Sequence, residues 1–282
     1  MGFWLLLIAD RKTYSNKTIK QEVMAKIYYV GDWAVLMGPV FAESPFNYEY
    51  KGIDIFNYGE WLMNAFQSSN EHYVKSVPAW DFYKMGPGEY EKILEEFDVV
   101  VFSDIEAKNF QLAPNFFDRE KMGKGVLTLP DRCRLTNDWV KSGKSVMFMG
   151  GWLSFSGEIG KGGWGRTKLK EIIPVQCLEG DDLVESTEGF YPIADPKWQN
   201  FFGEVKLNEM PPILGYNQTK EREGFDTILR IKETGDPLLV HGKIEKGKVL
   251  AYMSDPAPHW GCNIVYWEYY NTFWLKCLDL II

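Results

Sequence analysis

Two stretches constrain the fold of this chain more than any other feature: "DVVVFSD" at 98–104 and "KSVMFMGG" at 144–151. Each is apolar at every position of its run, not at alternate positions. That pattern belongs to a strand buried on both faces, as in a parallel sheet covered by helices. Each run follows a segment with helical spacing. "GEYEKILEEF" puts Tyr90, Ile93, Leu94 and Phe97 on one side. "DRCRLTNDWVKSG" closes on Gly143, a residue suited to the left-handed C′ position. Upstream, "AKIYYVGDWAVL" reads as a first buried strand and its exit loop. "YGEWLMNAFQSS" reads as a helix carrying Trp61, Leu62, Ala65 and Phe66, and "HYVKSVP" as a strand stopped by Pro78. Strands alternating with helices predict an α/β fold, doubly wound around a mostly parallel sheet.

From Leu153 to about Gly224 the pattern changes to Gly, Pro and charge, with short segments such as "KLKEIIPVQCL". This predicts loops and short elements over the top edge of the sheet, not a second domain. "DPLLVHGKIEKGKVLAYMSD" then predicts a hairpin with a Lys-Gly turn. "IVYWEYYNTFWLKCLDLII" predicts a closing C-terminal helix. Residues 1–23 are expected to form an N-terminal extension outside the fold, and residues 24–282 a single domain.

Composition excludes several classes of function. The chain has 282 residues and a net charge of −8, with no run of Lys and Arg that could form a nucleic-acid-binding face. The apolar run in "MGFWLLLIAD" is too short to span a bilayer, so no membrane association is expected. The four cysteines, at 133, 177, 262 and 277, form no C-x-x-C pair. Neither a zinc site nor a disulfide framework is indicated, and a reduced, cytoplasmic chain is expected. No metal ligand set and no cofactor motif is present. "GKGGWGRT" lacks the spacing of a phosphate loop, and Asp181 and Asp182 are neighbours that would point apart in an extended segment.

Chemistry is expected beyond the carboxyl ends of the strands, where open α/β sheets bind their ligands. Three strand ends carry suitable residues: Ser103 and Asp104, then Gly150, Gly151 and Trp152, then Ser254 and Asp255 with His259 shortly after. If these strands run the same way, the three ends meet on one rim. An Asp just after a strand commonly ties down a turn. A His on a proline-flanked loop at such a rim is a stronger candidate. Cys262, three residues after His259, could in principle pair with it as a nucleophile, but a buried inert thiol is the simpler reading.

The ordered motifs "VVVFSDIEAKNFQLAP", "SVMFMGGWLSFSG", "DDLVESTEG", "PPILGYN" and "PLLVHGKIEKGKVLAYMSDPAPHWG" resemble the bacterial family called "putative glutamine amidotransferases" over about residues 25–282. The resemblance implies a flavodoxin-like, class I glutamine amidotransferase-like fold. It also implies a nucleophilic cysteine in a G-x-C-x-G elbow and a later His-x-Glu. Here Gly150 matches the first elbow glycine, Trp152 stands in place of the cysteine and Ser154 in place of the last glycine. His259 matches the histidine, and Gly261 stands where the glutamate is expected. The chain is therefore expected not to be a glutaminase.

The first functional expectation is a protein that binds a small polar, carbohydrate-like ligand at this rim. Catalytic-type residues would be His259, Asp104 and Asp255, and ligand contacts would come from Ser103, Gly150, Gly151, Trp152, Ser154 and Trp260. The first alternative is a hydrolase-type enzyme using His259 with Asp104 or Asp255. The second is a structural subunit of a homo-oligomer, which the aromatic share of 16% would serve.

Overall fold

Eight strands build the central sheet: β1 (Ala25–Gly31), β2 (His72–Val77), β3 (Val99–Ser103), β4 (Ser145–Met149), β5 (Pro192–Ala194), β6 (Asp226–Ile231), β7 (Pro237–Ile244) and β8 (Gly247–Tyr252). Their spatial order is β5-β6-β7-β8-β4-β3-β1-β2. The strands β8, β4, β3, β1 and β2 are parallel neighbours, and β5, β6 and β7 extend the sheet antiparallel on one side. The molecule is thus a mixed α/β protein with a large, mostly parallel sheet. The computed structural model describes residues 25–37, 40–44, 47–50, 52–118, 120 and 127–282. The extension expected over residues 1–23 lies outside the described residues.

The continuous apolar runs follow from what covers them. Ile27, Tyr29, Val99, Val101, Met147, Met149, Leu250 and Tyr252 form one face, packed with α1 (Glu60–Gln67) and the C-terminal helix α4 (Tyr270–Asp279). Tyr28, Val30, Val100, Phe102, Val146, Phe148, Val249 and Ala251 form the other, under α2 (Glu89–Glu96) and α3 (Arg132–Lys141). Every residue of β3 and β4 is buried, so neither strand has a polar face to spare. Helix α3 begins at Asp131, whose carboxylate accepts the Cys133 and Arg134 N–H groups, and it ends before Gly143 at φ 124.

Several local expectations need correction. The exit of β1 is not only a loop, because Trp33–Met37 forms a strand paired antiparallel with Ile53–Asn57. The β7–β8 turn is Glu245–Lys246, with Gly247 already inside β8. The turn lies one residue earlier than the expected Lys-Gly pair, and Glu245 takes its positive φ of 53. The last segment is not one helix. A 3-10 turn at Ile264–Tyr266 precedes α4, which starts only at Tyr270. The 153–224 stretch consists of 3-10 turns, the short α-helix Gln199–Phe202 and short strands, but one of these, β5, joins the main sheet at its edge. Among the described residues no helix is long and apolar enough to cross a membrane.

Candidate functional site

Because β3, β4 and β8 run parallel, their carboxyl ends meet on one rim, and Asp104, Gly151 and Asp255 come together there. Gly151 sits between the two carboxylates at φ 144. A Cβ at this position would lie 2.7 Å from Asp104 Oδ1 and 2.9 Å from Asp255 Oδ1. Gly150 is held differently. Its N–H donates to the Tyr252 carbonyl at 2.7 Å, and a Cβ would lie 2.6 Å from the backbone at Met253 and Ser254. One glycine lets β4 exit against β8, and the other leaves space for two acids.

The turn after Gly151 is locked from below. Asp104, itself at φ 46, accepts the Leu153 N–H at 2.7 Å and donates its own N–H to Ser154 Oγ at 3.0 Å. Asn217 is fully buried; its Oδ1 accepts the Gly151 N–H at 2.9 Å, and its Nδ2 donates to the Gly151 carbonyl at 3.1 Å and to Asp182 at 2.8 Å. Asp182 in turn accepts the Ser156 and Gly157 N–H groups at 2.8 and 2.9 Å. The Gly151 N–H, which an oxyanion hole would aim at a ligand, is therefore already spent on a side chain. Ser154 and Ser103 are both fully buried, so they support the rim from beneath.

His259 is half exposed above the acids. Its Nδ1 is 2.9 Å from Asp255 Oδ2, and the Asp255 side chain is 7 % exposed. On the other side its Nε2 is 3.8 Å from Glu185 Oε1. That Glu185 oxygen also accepts the indole N–H groups of Trp152, at 3.1 Å, and of Trp260, at 2.7 Å. The imidazole lies between the two rings, with centroids 4.5 Å from Trp152 and 5.1 Å from Trp260. The two tryptophans differ in access. Trp152 is 49 % exposed, whereas Trp260 is 1 % exposed, packed where Gly215 has no side chain. The expected stacking of a ligand on Trp260 therefore has no open ring face, and Trp152 carries the open one. A shallow depression of about 310 Å³ borders His259, Trp260, Glu185, Ser186, Thr187 and Leu214.

The electrostatics follow from burial and from the crowding of acids. Burial pushes the Asp104 carboxyl up to about 6, and the Asp255 charge adds to the shift. Burial also raises Asp255, against the hydrogen bond from His259. Burial is the largest single influence on His259 and lowers its basicity, but the bond to Asp255 together with the charges of Asp255, Asp104 and Glu185 outweighs it and the net shift is upward. The Trp152 and Trp260 indoles hold Glu185 low. Among the described residues no lysine or arginine forms an ion pair with Asp104, Asp255 or Glu185, and His259 is the basic group beside them.

Two positions of the family pattern take on a physical meaning. The glutamate expected at 261 has no room, because a Cβ on Gly261 would lie 2.5 Å from the Asp255 carbonyl and 2.6 Å from that of Ala257. Asp255, four residues before the histidine, supplies the orienting carboxylate instead. No cysteine stands at the elbow, and burial pushes the Cys133 and Cys177 thiols up to about 12. Among the described residues the Cys262 thiol makes no hydrogen bond to His259, whose nitrogens face the two carboxylates. No group of three or more His, Cys, Asp or Glu side chains among the described residues could hold a metal ion.

Glu185, Asn217, Asp182 and Asp32 escape sequence reasoning. Asn217 ends the "PPILGYN" motif without any role attached to it, and it is fully buried. Asp182 was set aside because it adjoins Asp181. Both side chains in fact bind backbone N–H groups of the elbow loop, Asp181 at Ile159 and Asp182 at Ser156 and Gly157.

Two solved structures are similar to this chain along nearly its whole length. The Cytoplasmic Protein STM3548 from Salmonella typhimurium is 28% identical, with a TM-score of 0.79 over 91% of this chain and 98% of its own. The Cytoplasmic Protein STM1381 from Salmonella typhimurium LT2 is 29% identical, with a TM-score of 0.74 over 91% of this chain and 99% of its own. No curated protein matches the chain. A family model described as "Putative glutamine amidotransferase" matches residues 41–282. Because that model covers most of the chain, the chain belongs to the family of glutamine amidotransferase-like proteins.

Proposed function

We propose that this chain is not a glutaminase and that its rim binds a small polar, carbohydrate-like ligand, which His259 handles by acid–base chemistry. One observation carries the reading: the half-exposed imidazole is fixed through Nδ1 by the nearly buried Asp255 at 2.9 Å. A neutral histidine held this way keeps one tautomer and leaves Nε2, on the Glu185 side, as its free basic nitrogen, which is what a general base needs. Covalent catalysis of the amidotransferase kind has no support, since Trp152 occupies the elbow. The open face of Trp152 gives a sugar ring or similar body a surface to stack on. Glu185 and Asp104 offer acceptors for its hydroxyl groups.

A second reading, binding without turnover, is favoured by Glu185. Its carboxylate stands 3.8 Å from Nε2, where an attacking water would need to sit. The strand order β2-β1-β3-β4-β8 supports a flavodoxin-like, doubly wound arrangement. The two Salmonella proteins described as cytoplasmic support the same compartment here. Exposed Ile53, Ile55, Phe56 and Tyr266 support a homo-oligomer.

The test is a panel of chromogenic glycosides, esters and amides, with glutamine included, on the full chain and on His259→Ala. Turnover of any panel member that is lost in the variant supports the acid–base reading. Ammonia release from glutamine that depends on His259 would overturn the proposal. Calorimetric binding of sugars without turnover would select the second reading.

A further inference from the structure

The rim holds a carboxylate that neither the family pattern nor the histidine pair accounts for. Asp32 follows β1 directly, at φ 55. Strand β1 lies beside β3 and parallel to it, with Gly31 paired to Ser103, so Asp32 emerges on the same rim as Asp104 and Asp255. Gly31 permits this closeness, because a Cβ there would overlap the Ser103 carbonyl at 1.6 Å. Asp255 and Asp104 both act on Asp32 electrostatically and favour its protonated form.

Three carboxylates crowded on one rim, with a single histidine beside them, favour keeping a proton on one of the three. The hydrogen bonds decide which one is neutral. Asp104 accepts the Leu153 N–H, and Asp255 accepts the Trp260 N–H at 3.3 Å as well as the imidazole. These fixed donors favour charge on both. Asp32 accepts the Tyr29 hydroxyl and lies against that of Ser103, and both of these are donors that can rotate. The Ser103 hydroxyl is fully buried and has no hydrogen bond of good geometry, so it can rotate either to donate to a charged Asp32 or to accept from a protonated one.

We propose that Asp32 is the proton-holding residue of this rim, a neutral carboxylic acid beside the charged Asp104 and Asp255 and the proton donor available to a ligand bound there. The role as donor rests on the function proposed above; the protonated state does not. Burial and the Asp255 charge push the Asp32 carboxyl up to about 8, in agreement with its rotatable donors. The groups that face it are Tyr29 on its own strand, Asp104 after β3, Asp255 after β8 and Tyr270 at the start of α4. When Asp32 donates, its O–H bond breaks, a bond from the proton to a ligand heteroatom forms, and the carboxylate is reprotonated from solvent.

Infrared spectroscopy of the full chain without ligand tests the protonated state. A carboxylic-acid carbonyl band should be present at pH 7, should vanish as the pH rises past about 8, and should be lost in Asp32→Asn but kept in Asp104→Asn. A second variant, Tyr29→Phe, removes the hydroxyl that stabilises the charged form, so its band should persist to higher pH. Absence of the band from the native chain would overturn the proposal. So would its survival in Asp32→Asn, or an unchanged titration in Tyr29→Phe. Because no ligand is involved, these outcomes are independent of the substrate panel. If the panel identifies a substrate, turnover retained in Asp32→Asn would remove the donor role alone.

Discussion

Gly151 separates Asp104 from Asp255: the space where its Cβ would stand is 2.7 Å from one carboxylate and 2.9 Å from the other. The glycine is therefore required twice, by its φ of 144 and by its neighbours. Gly151→Ala should cost about 1–3 kcal/mol through backbone strain alone, and more if the acids cannot shift. A lower denaturant midpoint checks it. An unchanged midpoint would mean that the elbow has slack the packing does not suggest.

The Asn217 amide holds both backbone groups of Gly151 and the Asp182 carboxylate at once. Asn217→Ala would leave these groups buried without partners and should destabilise the fold by roughly 1–3 kcal/mol. Asn217→Asp should be no better, because it places a second carboxylate against Asp182. Thermal melts of the two variants decide the matter; a native Tm in either would show that water replaces the amide.

Stability should fall as the pH rises from about 4 to 7. The sign follows from linkage. Asp104 and Asp182 are each pushed up to about 6 by burial, so the folded chain binds more protons than the unfolded chain between their ordinary value of 3.8 and about 6. Their contribution is full below 3.8 and is lost as pH rises through about 6. His259, also raised, loses its contribution in the same direction. Asp104→Asn keeps an acceptor for Leu153 but carries no charge, so it should gain stability over the native chain at pH 7 and lose that advantage near pH 4. A constant difference between the two across this range would refute the assignment.

Trp152 is half exposed and tied by one indole bond to Glu185, so Trp152→Ala should change stability by under about 1 kcal/mol. Its effect should appear in ligand binding instead. Loss of sugar binding with an unchanged melt is the expected pair of results. A large drop in Tm would make Trp152 a structural residue and remove the stacking surface from the proposed site.

Much of this was written in short windows of sequence. Uninterrupted apolar runs specify strands buried on both faces, because only a doubly covered strand has no polar side, and from them the parallel core strands β3 and β4 were legible. Residues that immediately follow a strand end inherit its direction, so Asp104, Gly151 and Asp255 could be assigned to one rim before any contact was known. The missing elbow cysteine was equally local. Tertiary structure alone decided which side chains close on these residues. Glu185 reaches His259 and both tryptophans from a strand more than seventy residues away from His259 and Trp260. Asp32 joins the rim only because β1 pairs with β3. Trp260 is sealed from ligand by the missing side chain of Gly215, while Trp152 stays open. Such contacts depend on register and on backbone approach between distant segments, which no periodicity in a single segment encodes. That is why the sequence marks the rim, and only the fold selects the acids that surround the histidine.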